Sequence, residues 1–121
     1  MSVVKFQSVT PILQVENLQR ALEFYTTVLG FKIAWTWGTP ANRGSVCRDD
    51  VELMLEEKAL GEAPRITHVY MRVNEIDAYY QAICAAGARV KVLLADRPYG
   101  MRDARVVDVD GNELGFGTEL P

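Results

Sequence analysis

The chain has little of what marks metal-rich, secreted or membrane proteins: two cysteines, one histidine and no long apolar run among 121 residues. Cys47 and Cys84 lack CxxC spacing, so they build no zinc knuckle and demand no disulfide, and we expect buried free thiols. No stretch approaches the roughly 18 apolar residues that cross a bilayer, and no basic leader precedes an apolar core at the N-terminus. We therefore expect a cytoplasmic protein without a membrane partner.

The chain also lacks a large excess of positive or negative charge. The 13 Lys and Arg against 16 Asp and Glu give a formal net charge of -3, and neither sign forms a long run. Because nucleic-acid binding requires clustered basic side chains, no nucleic-acid partner is expected. The hydrophobic share of 49% is ordinary for a soluble globular protein, and the length fits a single domain.

The sequence contains an internal repeat. The segment "TPILQVENLQRALEFYTTVLG" (Thr10 to Gly30) matches "HVYMRVNEIDAYYQAICAAG" (His68 to Gly87) at an offset of 58 residues, after one deletion near the end. Each segment begins with a strand-like run and continues with apolar residues at helical spacing after a candidate N-cap, Asn17 or Asn74. The terminal glycines, Gly30 and Gly87, are suited to end each helix in the left-handed conformation.

Three strand-like runs follow each predicted helix. They are "FKIAWTW", "GSVCR" and "VELMLEE" in the first half, and "ARVKVLL", "DARVVDV" and "NELGFGTE" in the second. Asp49-Asp50 and Asp110-Gly111-Asn112 supply the turn chemistry of hairpins. The prediction is an α+β domain over residues 1–121 with two βαβββ modules, residues 1–60 and 65–121. Two such sheets facing each other would enclose a cleft, and every second strand residue would face it.

This arrangement resembles the vicinal oxygen chelate superfamily of glyoxalase I, bleomycin-resistance proteins and extradiol dioxygenases. The resemblance covers almost the whole chain. Its strongest carriers are "VENLQRALEFYTTVLGF" (Val15 to Phe31), "THVYMRV" (Thr67 to Val73) and "RPYGMRDARVVDVDGNELGFG" (Arg97 to Gly117), in this order on the doubled βαβββ pattern. It implies tandem βαβββ modules that form a glyoxalase/bleomycin-resistance-type incomplete barrel with a U-shaped cavity. It also implies a homodimer and a small-molecule ligand.

Metal-dependent members of that superfamily hold one divalent ion with His and Glu side chains from four strands. The resemblance places the first position on Thr10, the third on His68 and the fourth on Gly115. The second falls on Glu52, or on Met54 if the two halves are aligned on "ELML" and "ELGF". Catalytic zinc and non-haem iron sites normally keep three protein ligands, so a tightly bound metal is not expected. The alternative is Zn, Ni, Mn or Fe on Glu52 and His68.

The two polar side chains of this set have other possible roles. His68 suits a general base, a metal ligand or a hydrogen-bonded structural group. Glu52 lies on an otherwise apolar strand, where an unpaired carboxylate is costly. We expect it either to recognise a ligand or to pair with a strand arginine such as Arg72 or Arg105.

Aromatic side chains and one loop complete the predicted site. Trp35 and Trp37 share a strand face, and we expect one in the cavity and the other in the core or a dimer interface. A loop from "RPYGMRDA" is expected at the cleft mouth, with Arg102 either meeting an anionic group or solvated. The candidate ligand-binding residues are Trp35, Trp37, Glu52, Met54, His68, Tyr70, Tyr99, Met101 and Arg102.

Two functional hypotheses follow from these residues. The favoured one is a small-molecule-binding protein of the bleomycin-resistance kind, which sequesters its ligand without chemical change. The alternative is a metal-dependent glyoxalase-like lyase or isomerase, or a dioxygenase, in which the ion held by Glu52 and His68 acts as a Lewis acid. The sequence alone leaves open whether the protein is an enzyme.

Overall fold

The computed structural model describes residues 2–121, and it contains the predicted β-α-β-β-β order twice. The elements are β1 (Ile12–Val15), α1 (Leu18–Thr27), β2 (Lys32–Gly38), β3 (Ala41–Arg48), β4 (Val51–Glu57), β5 (His68–Arg72), α2 (Ile76–Ala85), β6 (Arg89–Asp96), β7 (Met101–Val107) and β8 (Glu113–Glu119). This confirms the α+β class with two βαβββ modules. Met101 and Arg102, which were expected in a loop, instead begin β7.

The strands form two separate four-stranded sheets with the same internal order. The first sheet runs β1-β4-β3-β2 and the second runs β5-β8-β7-β6. In each module the first strand lies parallel to the last, and the remaining pairs are antiparallel. The sheets do not close into a barrel. Each therefore keeps one face on its own helix and one open face.

The helices cover the sheets with their apolar sides, and the buried residues of both modules form one core. Its members include Leu13, Leu22, Tyr25, Val46, Leu55, Met71, Ile83, Leu114 and Phe116. Burying a large apolar side chain contributes roughly 1.5–3 kcal/mol, so this shared core holds the two modules together. Within residues 2–121 neither helix is long and apolar enough to cross a membrane.

The helix ends match the predictions in part. Asn17 Oδ1 accepts a hydrogen bond from the Arg20 amide at 2.9 Å, which confirms this N-cap. The predicted Asn74 cap is wrong, because α2 begins after Glu75 and that residue makes no side-chain cap. Thr118 of β8 takes over the role, since its Oγ1 accepts from the Ile76 amide at 3.0 Å.

The predicted conformation of the two helix-ending glycines is confirmed, whereas the cysteine prediction is not. Gly30 and Gly87 adopt φ of 74° and 100°, the left-handed conformation that ends a helix. Cys84 is exposed and Cys47 is only half-buried, so the expectation of two buried thiols is wrong. Cys84 lies on the solvent side of α2, the face that the amphipathic pattern leaves uncovered.

The turn between β7 and β8 links the two modules through buried polar groups. The Asp108 carboxylate accepts hydrogen bonds from the Tyr25 hydroxyl at 2.7 Å and from the Asn112 amide at 2.9 Å. The Asn112 side-chain amide in turn donates to the Gln14 carbonyl at 3.0 Å. Burial, followed by the Asp108 charge, raises the pKa of Tyr25 well above its usual value. The hairpin was predicted, but its contacts with α1 and β1 were not.

Candidate functional site

The open faces of the two sheets carry equivalent rows of side chains. Strand register places Ile12, Met54, Ser45 and Trp35 side by side across the first open face. Tyr70, Gly115, Arg105 and Val92 form the matching row across the second. Tyr70 follows Ile12 by the 58 residues of the sequence repeat, so Met54 and Gly115 occupy equivalent positions.

This register bears on the metal positions that the resemblance implies. The equivalent of Gly115 is Met54, and Glu52 instead corresponds to Glu113, the neighbour of His68. Thr10 lies outside β1. His68 is then the one imidazole or carboxylate in the set, and residues 2–121 contain no group of three or more potential His, Cys, Asp or Glu ligands. The donor set of a single chain does not fit a tightly held divalent ion.

Glu52 has a partner, but it is not an arginine. Its carboxylate accepts a hydrogen bond from the Ser45 hydroxyl on the neighbouring strand. Arg105 lies on the second sheet and pairs with Glu113 at 2.9 Å, and no residue of the described chain forms a salt bridge with Glu52. The alternative in which Glu52 pairs with Arg72 or Arg105 is therefore wrong, and ligand recognition by Glu52 stays a prediction. Glu52 and Met54 both face the open side, as strand alternation predicts.

The two tryptophans line the open face of the first sheet at its edge. Trp35 lies beside Ser45 and Trp37 beside Arg43 in the β2–β3 register. Their exposed fractions are 38% and 65%, so neither belongs to the core. All of β2 is exposed on both faces. A core position is therefore wrong for both tryptophans, and the placement of either one in a ligand cavity or a dimer interface stays a prediction.

Asp103 is the centre of a polar cluster on the open face of the second sheet. Its Oδ2 atom accepts hydrogen bonds from the Tyr70 hydroxyl at 2.9 Å and from the Tyr99 hydroxyl at 2.6 Å. Its Oδ1 atom accepts from Arg97 Nε at 2.8 Å. Tyr70 and Tyr99 were predicted site residues, whereas Asp103 and Arg97 were missed. The sequence did offer a signal for Asp103. It lies two residues before Arg105 in a predicted strand, so alternation places both side chains on the same face.

These contacts fix the charge state of the cluster. Burial acts to raise the pKa of the Asp103 carboxyl, but hydrogen bonds from Tyr99, Arg97 and Tyr70 outweigh burial and lower that pKa. Burial and the bond to Asp103 raise the pKa of Tyr70 to about 12. The same bond to Asp103 raises the pKa of Tyr99. At neutral pH the site therefore holds one carboxylate and two neutral phenols.

The glycines of β8 make room for the Tyr70 ring. A Cβ on Gly115 would lie 3.0 Å from Tyr70 Cδ2, and a Cβ on Gly117 would lie 2.9 Å from Tyr70 Cζ. The Gly117 distance is shorter than real Cβ contacts and the Gly115 distance is tighter than most of them, so the ring rests where two side chains are missing. Gly115 therefore does more than lack a metal-binding side chain. It leaves room for the Tyr70 side chain to cross β8 and reach Asp103.

A cavity of about 450 Å³ opens over this cluster. It is lined by Tyr70, Val92, Arg97, Tyr99, Asp103, Ala104, Arg105 and Gly115. The volume lies within the range of small-molecule sites, which combine apolar walls with a few placed polar groups. A further cavity of about 480 Å³ lies where α2 meets the β3–β4 turn, away from the cluster.

Arg102 and Met101 do not join the cluster. The Arg102 guanidinium donates to Asp77 at 2.8 Å and to Asp96 at 3.1 Å, so it is held against α2 and β6. Strand alternation places Arg102 on the face opposite Asp103. Met101 is buried at the start of β7. His68, by contrast, is exposed at the start of β5 on the same open face as Tyr70.

The raised phenol pKa of Tyr70 predicts a loss of stability at alkaline pH. A neutral phenol whose folded pKa exceeds its unfolded value of about 10 stabilises fully below that pH, and the contribution disappears as pH rises through the folded pKa. Urea unfolding should show a free energy that falls between pH 10 and about 12. In Tyr70→Phe the free energy of unfolding should fall less over this pH range. The difference from wild type should be under about 1 kcal/mol, because the Tyr70 side chain is partly exposed.

The difference between wild type and variant is the informative quantity. Burial also raises the pKa of Tyr25 and of Tyr79, and both contribute to the fall in either protein. Identical slopes in wild type and Tyr70→Phe would show that the Tyr70 proton is not held by Asp103 in solution.

Comparison with known proteins identifies the family of the chain and proteins that share its fold. A family model described as "Glyoxalase/Bleomycin resistance protein/Dioxygenase superfamily" matches residues 5–116. TioX from Micromonospora sp. ML1 is 20% identical with a TM-score of 0.83, and the match covers 95% of this chain and 100% of TioX. TnmS3, an antibiotic binding protein from Streptomyces sp. CB03234, is 22% identical with a TM-score of 0.76, and the match covers 98% of each chain.

A third similar structure has a more general description. It is a glyoxalase/bleomycin resistance protein/dioxygenase from Nocardioides, 23% identical with a TM-score of 0.77, and the match covers 98% of this chain and 87% of that one. No curated protein matches the chain. At these identities the structural neighbours establish the fold.

Proposed function

Because the chain belongs to the glyoxalase/bleomycin resistance protein/dioxygenase superfamily, we propose that it forms a homodimer whose clefts bind a small, largely planar molecule and sequester it unchanged. The observation that carries this proposal is the pair of open sheet faces, each with exposed aromatic side chains. Trp37 on the first face and Tyr99 on the second are each about two thirds exposed, at 65% and 66%. Such aromatic surfaces mark sites of binding or association.

Dimerisation accounts for the openness of both faces. Within one chain the cavity over Asp103 is lined by residues of the second module alone. A second copy that brings the first sheet of one protomer opposite the second sheet of the other would place a tryptophan wall across from the tyrosines. Two identical clefts related by a two-fold axis would result. TnmS3, a protein of the same fold, is described as an antibiotic binding protein, which supports binding as the function.

The proposal includes no tightly bound metal. Glu52 accepts a hydrogen bond from Ser45, the register-equivalent residues Met54 and Gly115 offer no carboxylate, and Thr10 offers no imidazole. Asp103 does not replace them, because within residues 2–121 it belongs to no group of three His, Cys, Asp or Glu side chains that could hold an ion. What remains suits stacking and hydrogen bonding of an organic ligand.

The proposal predicts that Trp37 contributes to ligand affinity. Trp37→Ala should weaken binding of a planar probe such as 2-naphthol roughly tenfold, because a stacked aromatic partner contributes about 0.5–1.5 kcal/mol beyond its buried area. Ile33→Ala is the matched control. Ile33 is 49% exposed on the same strand but pairs with Val46 on the opposite face. Equilibrium dialysis of the dimer, with sedimentation to confirm its mass, gives the affinity and stoichiometry.

Three outcomes would contradict this function. They are equal losses in Trp37→Ala and Ile33→Ala, a monomer at all accessible concentrations, or chemical conversion of a bound ligand. The metal-dependent alternative is tested on the same preparation by elemental analysis. Stoichiometric Zn, Ni, Mn or Fe that is lost in both Glu52→Gln and His68→Ala would replace sequestration with Lewis-acid catalysis.

A further inference from the structure

We infer that the cluster around Asp103 selects ligands that carry a hydroxyl or amino hydrogen-bond donor on a planar ring system, because Tyr70 and Tyr99 offer the ligand only acceptor atoms. This inference rests on the proposed binding function and deepens it by assigning a ligand chemistry. Its basis is the hydrogen-bond geometry of the cluster.

The first step concerns the phenol protons. A tyrosine hydroxyl has one hydrogen to donate and lone pairs with which to accept. The Tyr70 and Tyr99 hydroxyls both direct that hydrogen to Asp103 Oδ2, at 2.9 Å and 2.6 Å. An ionised carboxylate has no proton to give, so each hydroxyl meets Asp103 as a donor, and turning its hydrogen toward the cavity would break a hydrogen bond to a charged group. Toward the cavity, both oxygens therefore present lone pairs alone.

The second step concerns what fixes the Asp103 carboxylate, and with it the direction of the two phenol hydrogen bonds. Arg97 Nε donates to Asp103 Oδ1 at 2.8 Å, and its Nη2 atom donates to the Asp103 carbonyl at 3.1 Å. The carboxylate is thus fixed from the side opposite the phenols. A phenol that donates to an anion becomes a better acceptor, because successive hydrogen bonds polarise one another in a low-dielectric site.

The third step concerns where a ligand ring would lie. The Tyr70 ring rests on the backbone of β8 above Gly115 and Gly117, and 45% of the residue is exposed. A planar ligand can stack on such a ring and bring a hydroxyl or amino hydrogen to the phenol oxygens. Arg105 lies in the same row as Tyr70, beyond Gly115, and pairs with Glu113. It contributes charge to the cavity but does not contact Asp103.

The test compares two neutral planar probes of similar size, 2-naphthol and 2-methoxynaphthalene. Only the first carries a donor. For the wild-type dimer at pH 7, dialysis should give about tenfold tighter binding of 2-naphthol, the effect of one hydrogen bond to a strengthened acceptor. Asp103→Asn should reduce the ratio of the two dissociation constants to about one, because an amide can donate and release a phenol proton toward the cavity.

Two further variants locate the effect. Tyr99→Phe, at the exposed rim of the cavity, should lower the ratio without threatening the fold, so the inference stays testable if Asp103→Asn does not fold. Arg102→Gln, on the face of β7 opposite Asp103, should leave the ratio unchanged. A wild-type ratio near one, or a ratio that survives both Asp103→Asn and Tyr99→Phe, overturns the inference while leaving sequestration intact. Failure of the dimer to bind either probe overturns the proposed function and the inference with it.

Discussion

Replacing Asn112 with alanine is expected to lower the free energy of unfolding by about 3 kcal/mol. The side chain is fully buried, with 0% exposed. Its amide donates to the Gln14 carbonyl at 3.0 Å and to Asp108 at 2.9 Å, and its carbonyl accepts from the Thr67 amide at 2.9 Å. Alanine removes all three bonds: the Gln14 carbonyl and the Thr67 amide lose this partner, whereas Asp108 keeps the bond from Tyr25. A hydrogen bond left unmade at a buried group costs about 1–3 kcal/mol.

Two milder variants calibrate that loss. Tyr25→Phe removes one hydroxyl that donates to Asp108 at 2.7 Å, and it should cost about 1–1.5 kcal/mol because the ring still fills its place. Asn17→Ala removes the cap of α1 at the surface and should cost about 1 kcal/mol. Urea unfolding at pH 7 measures all three. A cost for Asn112→Ala no larger than that of the surface cap would mean that this turn does not join the modules.

The sequence predicted the fold because its signals are local. Period-two and period-3.6 apolar patterns identify all ten elements, and glycines at the helix ends and aspartates at the hairpins mark most boundaries. The exceptions depend on distant residues. Asn74 has the right type for a cap, but Thr118 of β8 reaches the α2 N-terminus from another strand. A single-sequence pattern contains no information about that contact.

The site was predicted less completely for the same reason. Tyr70 and Tyr99 belong to the predicted set, yet what defines their chemistry is Asp103, which joins them from β7. Gly115 was interpreted as the absence of a metal-binding carboxylate. Its contact with the Tyr70 ring emerges only when β5 is placed beside β8. Alternation predicts which face a residue occupies, but strand pairing decides which side chains meet there.

Gly117→Ala is the second large expected effect, and it falls on ligand binding rather than on stability. A Cβ at this position would lie 2.9 Å from Tyr70 Cζ and 3.1 Å from Asp103 Cβ. Tyr70 is partly exposed and can turn outward, so the fold should lose only about 1 kcal/mol or less. The displaced ring loses its bond to Asp103 and blocks the cavity, so affinity for 2-naphthol should fall by about tenfold or more.

Gly87→Ala is the control, with a similar cost in stability and no expected effect on ligand binding. Gly87 adopts φ of 100° at the end of α2, and a Cβ there would meet nothing within 4 Å. Alanine should therefore cost about 1 kcal/mol through backbone strain while leaving the cavity and its affinity intact. The decisive comparison adds Tyr70→Ala to Gly117→Ala. Because Tyr70→Ala removes the ring that Gly117→Ala displaces, the double variant should bind no more weakly than Tyr70→Ala alone. Additive losses would mean that Gly117 acts on the cleft by a route other than the Tyr70 ring.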